Sequence, residues 1–319
     1  MINYAILGYG FMGKKHHEVI LSNPNATVTA IIDKNEINSP DIEYFQCLDF
    51  FLEKPRNVDV VIISTPNSDH FHSAKKLLEN GYTIFLEKPY CFTKKQTEEL
   101  QKISYENKKQ IFFSNQNRKS PIATFLKDII DKNILGEIYF IQSNLFWSRN
   151  ENYYQKGSWK GTKDKDGGTL YTQFFHFVDL IMWAFGDIEI RNVVAKTLKH
   201  KSLIEIEDTG TVTFELKNKE TIGVLNFSTA VYDRNFESSL TIIAENGTLK
   251  ISGQYFDEVE YCNIKNFDIN DYLIGKTDNL SNLRDNLNYV NENCKNYSLN
   301  GISESMNIVS KIEQIYNSL

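Results

Sequence analysis

The chemistry available in this chain starts at a lysine. Ile84, Phe85 and Leu86 form a short apolar run that stops abruptly at Glu87, Lys88 and Pro89. A buried strand has this form where it leaves a parallel sheet at its carboxyl end, and ligands of open α/β sheets bind outside that end. An amine fixed there can hold a proton, or release it if its surroundings lower its pKa. The alternative is a solvated charge pair at a strand end, which is common and contributes little. Further along, Thr172, His176, Asp179 and Trp183 recur at spacings that share one face of a helix expected to begin near Thr169. Leu170, Phe174, Phe177 and Ile181 cover much of the remainder, so the helix is expected to be mostly buried, with polar groups that need partners. His176 is there either as a satisfied core residue or as an acid/base group. Arg118, in the run Gln116-Asn117-Arg118, can clamp an anionic substrate group with its guanidinium fork or close an interdomain ion pair.

A second constellation suits phosphate. Gly8, Gly10 and Gly13, with Phe11 and Met12 between the last two, follow an apolar run at residues 2–7 and precede a helical stretch from Met12 to Leu21. The first glycine permits a tight turn, the second lets a pyrophosphate approach the backbone, and the third lets helix and strand pack closely. The helix start then offers unpaired N–H groups to the phosphates. Asp33 stands twenty residues after Gly13, at the end of the next expected strand, where a carboxylate binds a ribose 2′-hydroxyl. That carboxylate would repel a 2′-phosphate, which favours NAD over NADP, although Lys34 beside it tempers the preference. Thr65, Pro66 and Asn67 make a turn expected beside the cofactor's ribose. His70 follows, either as part of that site or as a helix N-terminal residue without a ligand.

These groups need a scaffold, and the apolar periodicity supplies one. Strands are expected at 2–7, 27–32, 58–64, 83–86 and 110–114, alternating with helices near 12–21, 49–53, 71–80 and 93–108. That alternation implies βαβ units and a parallel sheet. After a helix over 121–133, the pattern changes to long alternating strands at 137–147, 189–199, 209–217, 221–231 and 237–245. Asn246-Gly247 is expected to turn into a strand at 248–252. This predicts an open antiparallel sheet with one buried face. Its other face is expected to carry enough aromatic and aliphatic residues to meet another copy of the chain. Two helices, 279–296 and 302–317, are expected at the end. The domains expected are residues 1–118 and 119–319.

Composition narrows the function classes. A chain of 319 residues with formal net charge −6 has no broad basic footprint for nucleic acid. No apolar stretch reaches the length of a membrane span. The N-terminus has neither a basic leader nor a cleavage site. Cys47, Cys91, Cys262 and Cys294 are far apart, which indicates neither a zinc site nor a disulfide framework and fits a reducing cytoplasm. No metal is expected.

The motifs GYGFMG, TPNSDH and LEKP, in that order and spacing, resemble the glucose-fructose oxidoreductase / inositol 2-dehydrogenase (Gfo/Idh/MocA) family. The resemblance implies an α/β fold class: an N-terminal Rossmann dinucleotide-binding domain followed by an α+β domain with a large open, mainly antiparallel sheet. It makes Lys88 a catalytic group, or one that positions the reacting hydroxyl, and the Lys88–Pro89 peptide a candidate cis bond. An oxidised nicotinamide nearby would disfavour the charged amine, and Glu87 would oppose that shift. It also assigns His176 to the active site. The family's usual aspartate is replaced here by Thr172, followed by Gln173. A threonine can bond a sugar hydroxyl but cannot be a carboxylate base, so acid/base duty falls on Lys88 and His176. Arg149, Tyr153-Tyr154 and Ser158-Trp159-Lys160-Gly161 resemble the branch acting on nucleotide-linked sugars, whose best-known type oxidises the 3-hydroxyl of UDP-N-acetylglucosaminuronate.

The expected function is therefore NAD-dependent oxidation of a sugar hydroxyl in surface-polysaccharide biosynthesis. Gly8, Gly10, Phe11, Met12, Gly13, Asp33, Thr65, Pro66, Asn67, His70, Glu87, Lys88 and Gln116 would surround the cofactor. Lys88, Arg118, Tyr153, Trp159, Thr172, Gln173 and His176 would meet the sugar. The same fold running as a 3-ketosugar reductase, with NADP in place of NAD, and a non-catalytic dinucleotide sensor are the alternatives.

Overall fold

The computed structural model describes residues 1–37, 41–272, 280–298 and 302–319. The chain divides into two compact units: Met1–Gln116 with Asp278–Ser310, and Asn117–Thr277 with Lys311–Leu319.

The first unit is built on β1 (Ile2–Leu7), β2 (Ala26–Ile32), β3 (Glu43–Phe45), β4 (Val60–Ile63), β5 (Thr83–Leu86) and β6 (Ile111–Phe113). They form one sheet in the order β3-β2-β1-β4-β5-β6, and every pair is parallel. The connecting helices are α1 (Phe11–Leu21), α2 (Leu48–Leu52), α3 (His70–Glu79) and α4 (Lys94–Asn107). The central strands are apolar without alternation because both faces are covered; all four residues of β4 and of β5 are buried. Tyr4, Ile6, Ile62, Phe85 and Phe112 form the core with Leu283, Leu287 and Val290. Those three come from α9 (Ser281–Asn293), a late helix that returns to this unit. Residue 279, where that helix was expected to begin, lies outside the described residues. Local chemistry sets some boundaries: Thr93 and Gln96 form a reciprocal capping box at the start of α4.

The second unit holds α5 (Pro121–Asp131), β7 (Ile138–Phe146), α6 (Lys163–Asp166), α7 (Thr169–Thr172), α8 (Phe175–Phe185) and β8 (Ile188–Lys196). β9 (Thr209–Leu216), β10 (Ile222–Ser228), β11 (Glu237–Ala244), β12 (Gly247–Ser252) and β13 (Glu258–Ile264) follow. Ser120 caps α5 by accepting from Ala123 N–H, with Pro121 in the first turn. The sheet order is β13-β12-β11-β7-β10-β9-β8. Its pairs are antiparallel except β7–β10, which is parallel. α10 (Ile302–Asn317) begins in the first unit and ends in the second.

Four expectations change. The strands β3 and β13 carried no assignment from the sequence. The turn after β11 falls at Glu245 and Asn246, because Gly247 already pairs with Ala244. The outer face of the large sheet is not predominantly apolar: Gln142, Asn144, Thr211 and Asn226 bond to one another across its middle strands. Val194, Ile222, Ile243 and Tyr261 are exposed apolar members scattered over it. Finally, the helix expected to run on from Thr169 is broken. α7 ends at Thr172, Phe174 N–H bonds back five residues to Thr169, and α8 starts afresh. Thr172 and His176 thus sit on different helices.

The start of α7 is fastened from a distance. Glu207 Oε1 accepts from Thr169 N–H at 2.8 Å and from the Tyr316 hydroxyl at 2.6 Å, and that hydroxyl accepts from Leu170 N–H. Gly168, at φ +133°, lies where an added Cβ would meet the Tyr316 ring. Burial outweighs both donors and pushes the Glu207 carboxyl up to about 7 from an ordinary 4.5. Raised in the folded state, this group adds stability that is complete below about pH 4.5 and lost as pH rises through about 7, roughly 3 kcal/mol in all. Denaturant titrations at pH 5 and pH 8 should show this loss for the native chain. Glu207→Gln should remove that part of the pH slope.

Candidate active site

The register of the parallel sheet gathers one set of side chains at its carboxyl edge. Ile32, Leu7, Ile63, Leu86 and Phe113 pair in one row across β2, β1, β4, β5 and β6. The residues just past that row are Asp33, Gly8, Thr65, Lys88 and Gln116. Five segments distant in sequence therefore emerge side by side.

The glycines have separable jobs. Gly8 has φ +89°, and a Cβ there would lie 2.7 Å from the Ser64 carbonyl oxygen. A Cβ on Gly13 would stand 2.2 Å from the Gly8 carbonyl oxygen, so this glycine lets α1 close on the loop. A Cβ on Gly10 would meet nothing within 4 Å, so the backbone faces open space at the start of α1. That helix has no side-chain N-cap, leaving its first N–H groups for an anion. Asp33 is held beside the loop: Oδ2 accepts from Tyr9 N–H at 2.7 Å and Oδ1 from Asn35 N–H at 2.9 Å. Two more atoms on this edge fit a bound dinucleotide. Thr65 Oγ1 and Gln116 Oε1 are buried and have no hydrogen-bond partner among the described residues, which is costly unless a ligand supplies one.

Lys88 is half-buried, and its bond to Pro89 is cis. Its N–H donates to Glu87 Oε2 at 3.2 Å. Glu87 itself is a correction. It is buried and points inward: Oε1 lies 2.7 Å from His16 Nε2 and accepts from the Ser114 hydroxyl at 3.0 Å. It ties α1 and the residue after β6 to this edge. His70 is also corrected. It is 1% exposed, with Nδ1 2.7 Å from the Pro89 carbonyl and Nε2 2.9 Å from the Thr65 carbonyl. Burial pushes its pKa down and the two carbonyls oppose that shift; with one carbonyl against each ring nitrogen, the ring spans two turns of the edge. Neither His16 nor Ser114 stood out in the sequence, where no spacing links them to Glu87. Among the other expected cofactor residues, Asn67 is buried, Met12 and Pro66 are half-buried, and Phe11 is exposed.

The second unit assembles its own set. The Thr172 hydroxyl donates to Asp166 Oδ1. Asp166 is 1% exposed, and its Oδ2 accepts from Gly161 N–H at 2.7 Å. A carboxylate therefore stands directly behind Thr172, supplied by α6; nothing in the sequence reading identified it. Next to it, Gln173 is divided between two neighbours. Its Oε1 accepts from Arg149 Nε at 2.8 Å, and its Nε2 donates to the Tyr153 hydroxyl at 2.5 Å. His176 is half-buried in the first turn of α8. Trp159 is half-buried, and its indole makes no hydrogen bond or ring contact among the described residues. Arg118 is the third correction. Its Nε and Nη2 bond Asp179 at 2.8 and 2.5 Å, so the fork is committed to a buried carboxylate of its own unit. The ion pair anticipated as the alternative exists, but within one unit. No group of three potential metal ligands occurs among the described residues, and no helix there is long and apolar enough to cross a membrane.

The loop geometry separates two alanine substitutions. Gly13→Ala should destabilise the fold by at least about 1 kcal/mol, because a backbone oxygen must move. Gly10→Ala should leave the melting temperature unchanged and weaken dinucleotide binding. Thermal unfolding and NADH fluorescence titration of both variants check this; equal melting temperatures would contradict the assignment.

Comparison with known proteins follows the same division. Residues 2–115 match the model of an oxidoreductase family with an NAD-binding Rossmann fold, and residues 124–250 match the GFO/IDH/MocA C-terminal domain. A WlbA dehydrogenase from Bordetella pertussis, solved with NADH and UDP-GlcNAcA, superposes with a TM-score of 0.89 at 25% identity, over 99% of this chain and 95% of that one. The WlbA dehydrogenase from Chromobacterium violaceum gives 0.88 at 24% identity, over 99% and 93%. By sequence, the chain is 23% identical to Oxidoreductase P35 of Formosa agariphila over 79% of each. It is 26% identical to 2,7-anhydro-N-acetylneuraminate hydratase of Escherichia coli over 63% of this chain, and spans about half (54%) of that protein. The parallel sheet with its glycine loop lies within the first match and much of the large mainly antiparallel sheet within the second, and the two matches together cover most of the sequence: the chain belongs to the Gfo/Idh/MocA family of NAD-dependent oxidoreductases.

Proposed function

We propose that this enzyme oxidises a hydroxyl on the ring of a nucleotide-linked sugar, at C3 of UDP-N-acetylglucosaminuronate or a close relative. The observation that carries the reading is the register row that sets Lys88 between Thr65 and Gln116 at the sheet's carboxyl edge. When bound, NAD accepts the hydride; the protein supplies position and electrostatics. The glycine loop and the start of α1 hold the pyrophosphate, and Asp33 binds the ribose. Lys88 takes the hydroxyl proton, and His176 is the second member of the relay. Tyr153, Trp159 and Thr172 hold the sugar.

Thr172 has a defined polarity in this scheme. Its proton is committed to Asp166, so it presents lone pairs and accepts from a substrate hydroxyl. Asp166 acts through Thr172 and fixes that polarity. The likeness to the WlbA dehydrogenases supports the choice of substrate class. On the same reading the enzyme works in the cytoplasm on sugars destined for surface polysaccharide. It self-associates through the outer face of its large sheet, where Val194, Ile222, Ile243 and Tyr261 are exposed among polar residues.

Lys88→Met should keep NADH affinity within about twofold while kcat falls by more than about 100-fold. Retained turnover would remove Lys88 from the mechanism. For the second unit, Thr172→Val should lower kcat/KM by about tenfold or more, and Thr172→Ser should recover most of it. Asp166→Asn combined with Thr172→Val should be little worse than either alone, because the two act as one unit. Both sets are read by NAD reduction with UDP-GlcNAcA.

A further inference from the structure

Two cations in the second unit face one aromatic ring without a counterion. Arg149 follows β7, and its guanidinium carbon lies 5.0 Å from the centres of the Trp147 and Tyr153 rings. Its Nε is bonded to Gln173, and its Nη1 to the Ser148 carbonyl and Asn235. Lys160 reaches the same Tyr153 ring, with Nζ 4.0 Å from its centre. Among the described residues neither side chain makes an ion pair, and Lys160 Nζ donates no hydrogen bond.

This arrangement is costly on its own. Both cations are half-buried, and each disfavours the other. Burial first, and then Arg149, pull the Lys160 pKa down. The Asp166 carboxylate opposes this shift but is already bonded to Gly161 N–H and Thr172. The residue that touches Arg149 most directly is a neutral amide, Gln173. It braces both Arg149 and Tyr153 while leaving the charge in place. A protein that needed these cations only for stability would gain from a carboxylate at that position. What is built is a rigid frame carrying excess positive charge, one residue along the chain from Thr172.

We propose that Arg149 and Lys160 form an anion subsite, taking the oxygens of a carboxylate or phosphate of the substrate. Where that anion comes from rests on the nucleotide-sugar reading above: it is either the uronate carboxylate on the sugar ring or the nucleotide diphosphate. Arg149 offers a directed N–H and Lys160 a mobile point charge. The Tyr153 ring between them stabilises both cations through its π face until the anion arrives. Anion binding favours the charged form of Lys160, against the downward pull of burial and of Arg149.

The test is calorimetric titration of the full chain with UDP, UDP-GlcNAc and UDP-GlcNAcA. Each is run for the native chain and for Lys160→Gln and Arg149→Gln. Lys160→Gln removes no hydrogen bond, so unchanged thermal unfolding is expected and guards against misfolding. A diphosphate occupant predicts similar affinity for all three ligands and a loss of about tenfold for each in Lys160→Gln. A carboxylate occupant predicts that UDP-GlcNAcA binds about tenfold more tightly than UDP-GlcNAc, and that Lys160→Gln abolishes the difference. The subsite is overturned if Lys160→Gln binds all three ligands as the native chain does, or if the native chain binds none. NAD reduction, assayed in parallel, separates the two readings. Lys160-dependent binding without turnover sinks the proposed reaction and leaves the subsite standing. Turnover indifferent to both substitutions does the reverse.

Discussion

The carboxylate of Glu87 is the point on which the first unit's chemistry rests. It is buried, and a carboxyl group in that setting must have hydrogen-bond partners. Its partners come from three directions: His16 from α1, Ser114 from the end of β6, and the Lys88 backbone N–H. One side chain therefore ties the helix that follows the glycine loop to two neighbouring strand ends. Lys88 then leaves the sheet from a fixed backbone. His70 adds a second tie between the turns at Thr65 and Pro89. Rigid placement of this kind is what positioning a reacting group to a fraction of an ångström demands.

The second unit solves a related problem with different parts. Its functional side chains sit on short helices and turns, which have little stability of their own. They are pinned by long-range bonds: Tyr316 and Glu207 at the start of α7, Asp166 between Gly161 and Thr172, and Gln173 between Arg149 and Tyr153. Beneath them lies an aromatic floor of Trp147, Phe174, Phe177 and Phe227. Trp147 spends its indole N–H on Ser238. The floor is apolar and closely packed, so it has few alternative arrangements. The polar groups above it are held in turn.

Charge is distributed between these tasks with some economy. Arg118 and Asp179 neutralise one another inside the second unit, and Glu207 is buried with two donors. Arg149 and Lys160 are left uncompensated. A buried pair fixes geometry and contributes little net stability, whereas an excess of charge that solvent can reach attracts a ligand.

The sequence by itself determined what depends on local chain geometry. The glycine spacing, the apolar runs that end at Asp33, Thr65 and Lys88, and the change from helix-and-strand alternation to long alternating strands all act over a few residues. Parallel pairing then follows almost without choice. The tertiary structure decided everything that depends on which distant residue arrives. Sequence period carried one helix through Thr172 and His176, and Phe174 bonding back to Thr169 broke it. His70 and Glu87 read as ligands because they sit in motifs, but their partners are carbonyls, His16 and Ser114, brought close by folding. The carboxylate missing at position 172 is restored by Asp166, six residues away but on a different helix. β3 and β13 escaped notice because they are edge strands, one of them three residues long, with too little buried face to leave a pattern. Local steric rules are written in neighbouring letters, whereas the partner of a buried polar group is set by packing, which no short window of sequence contains.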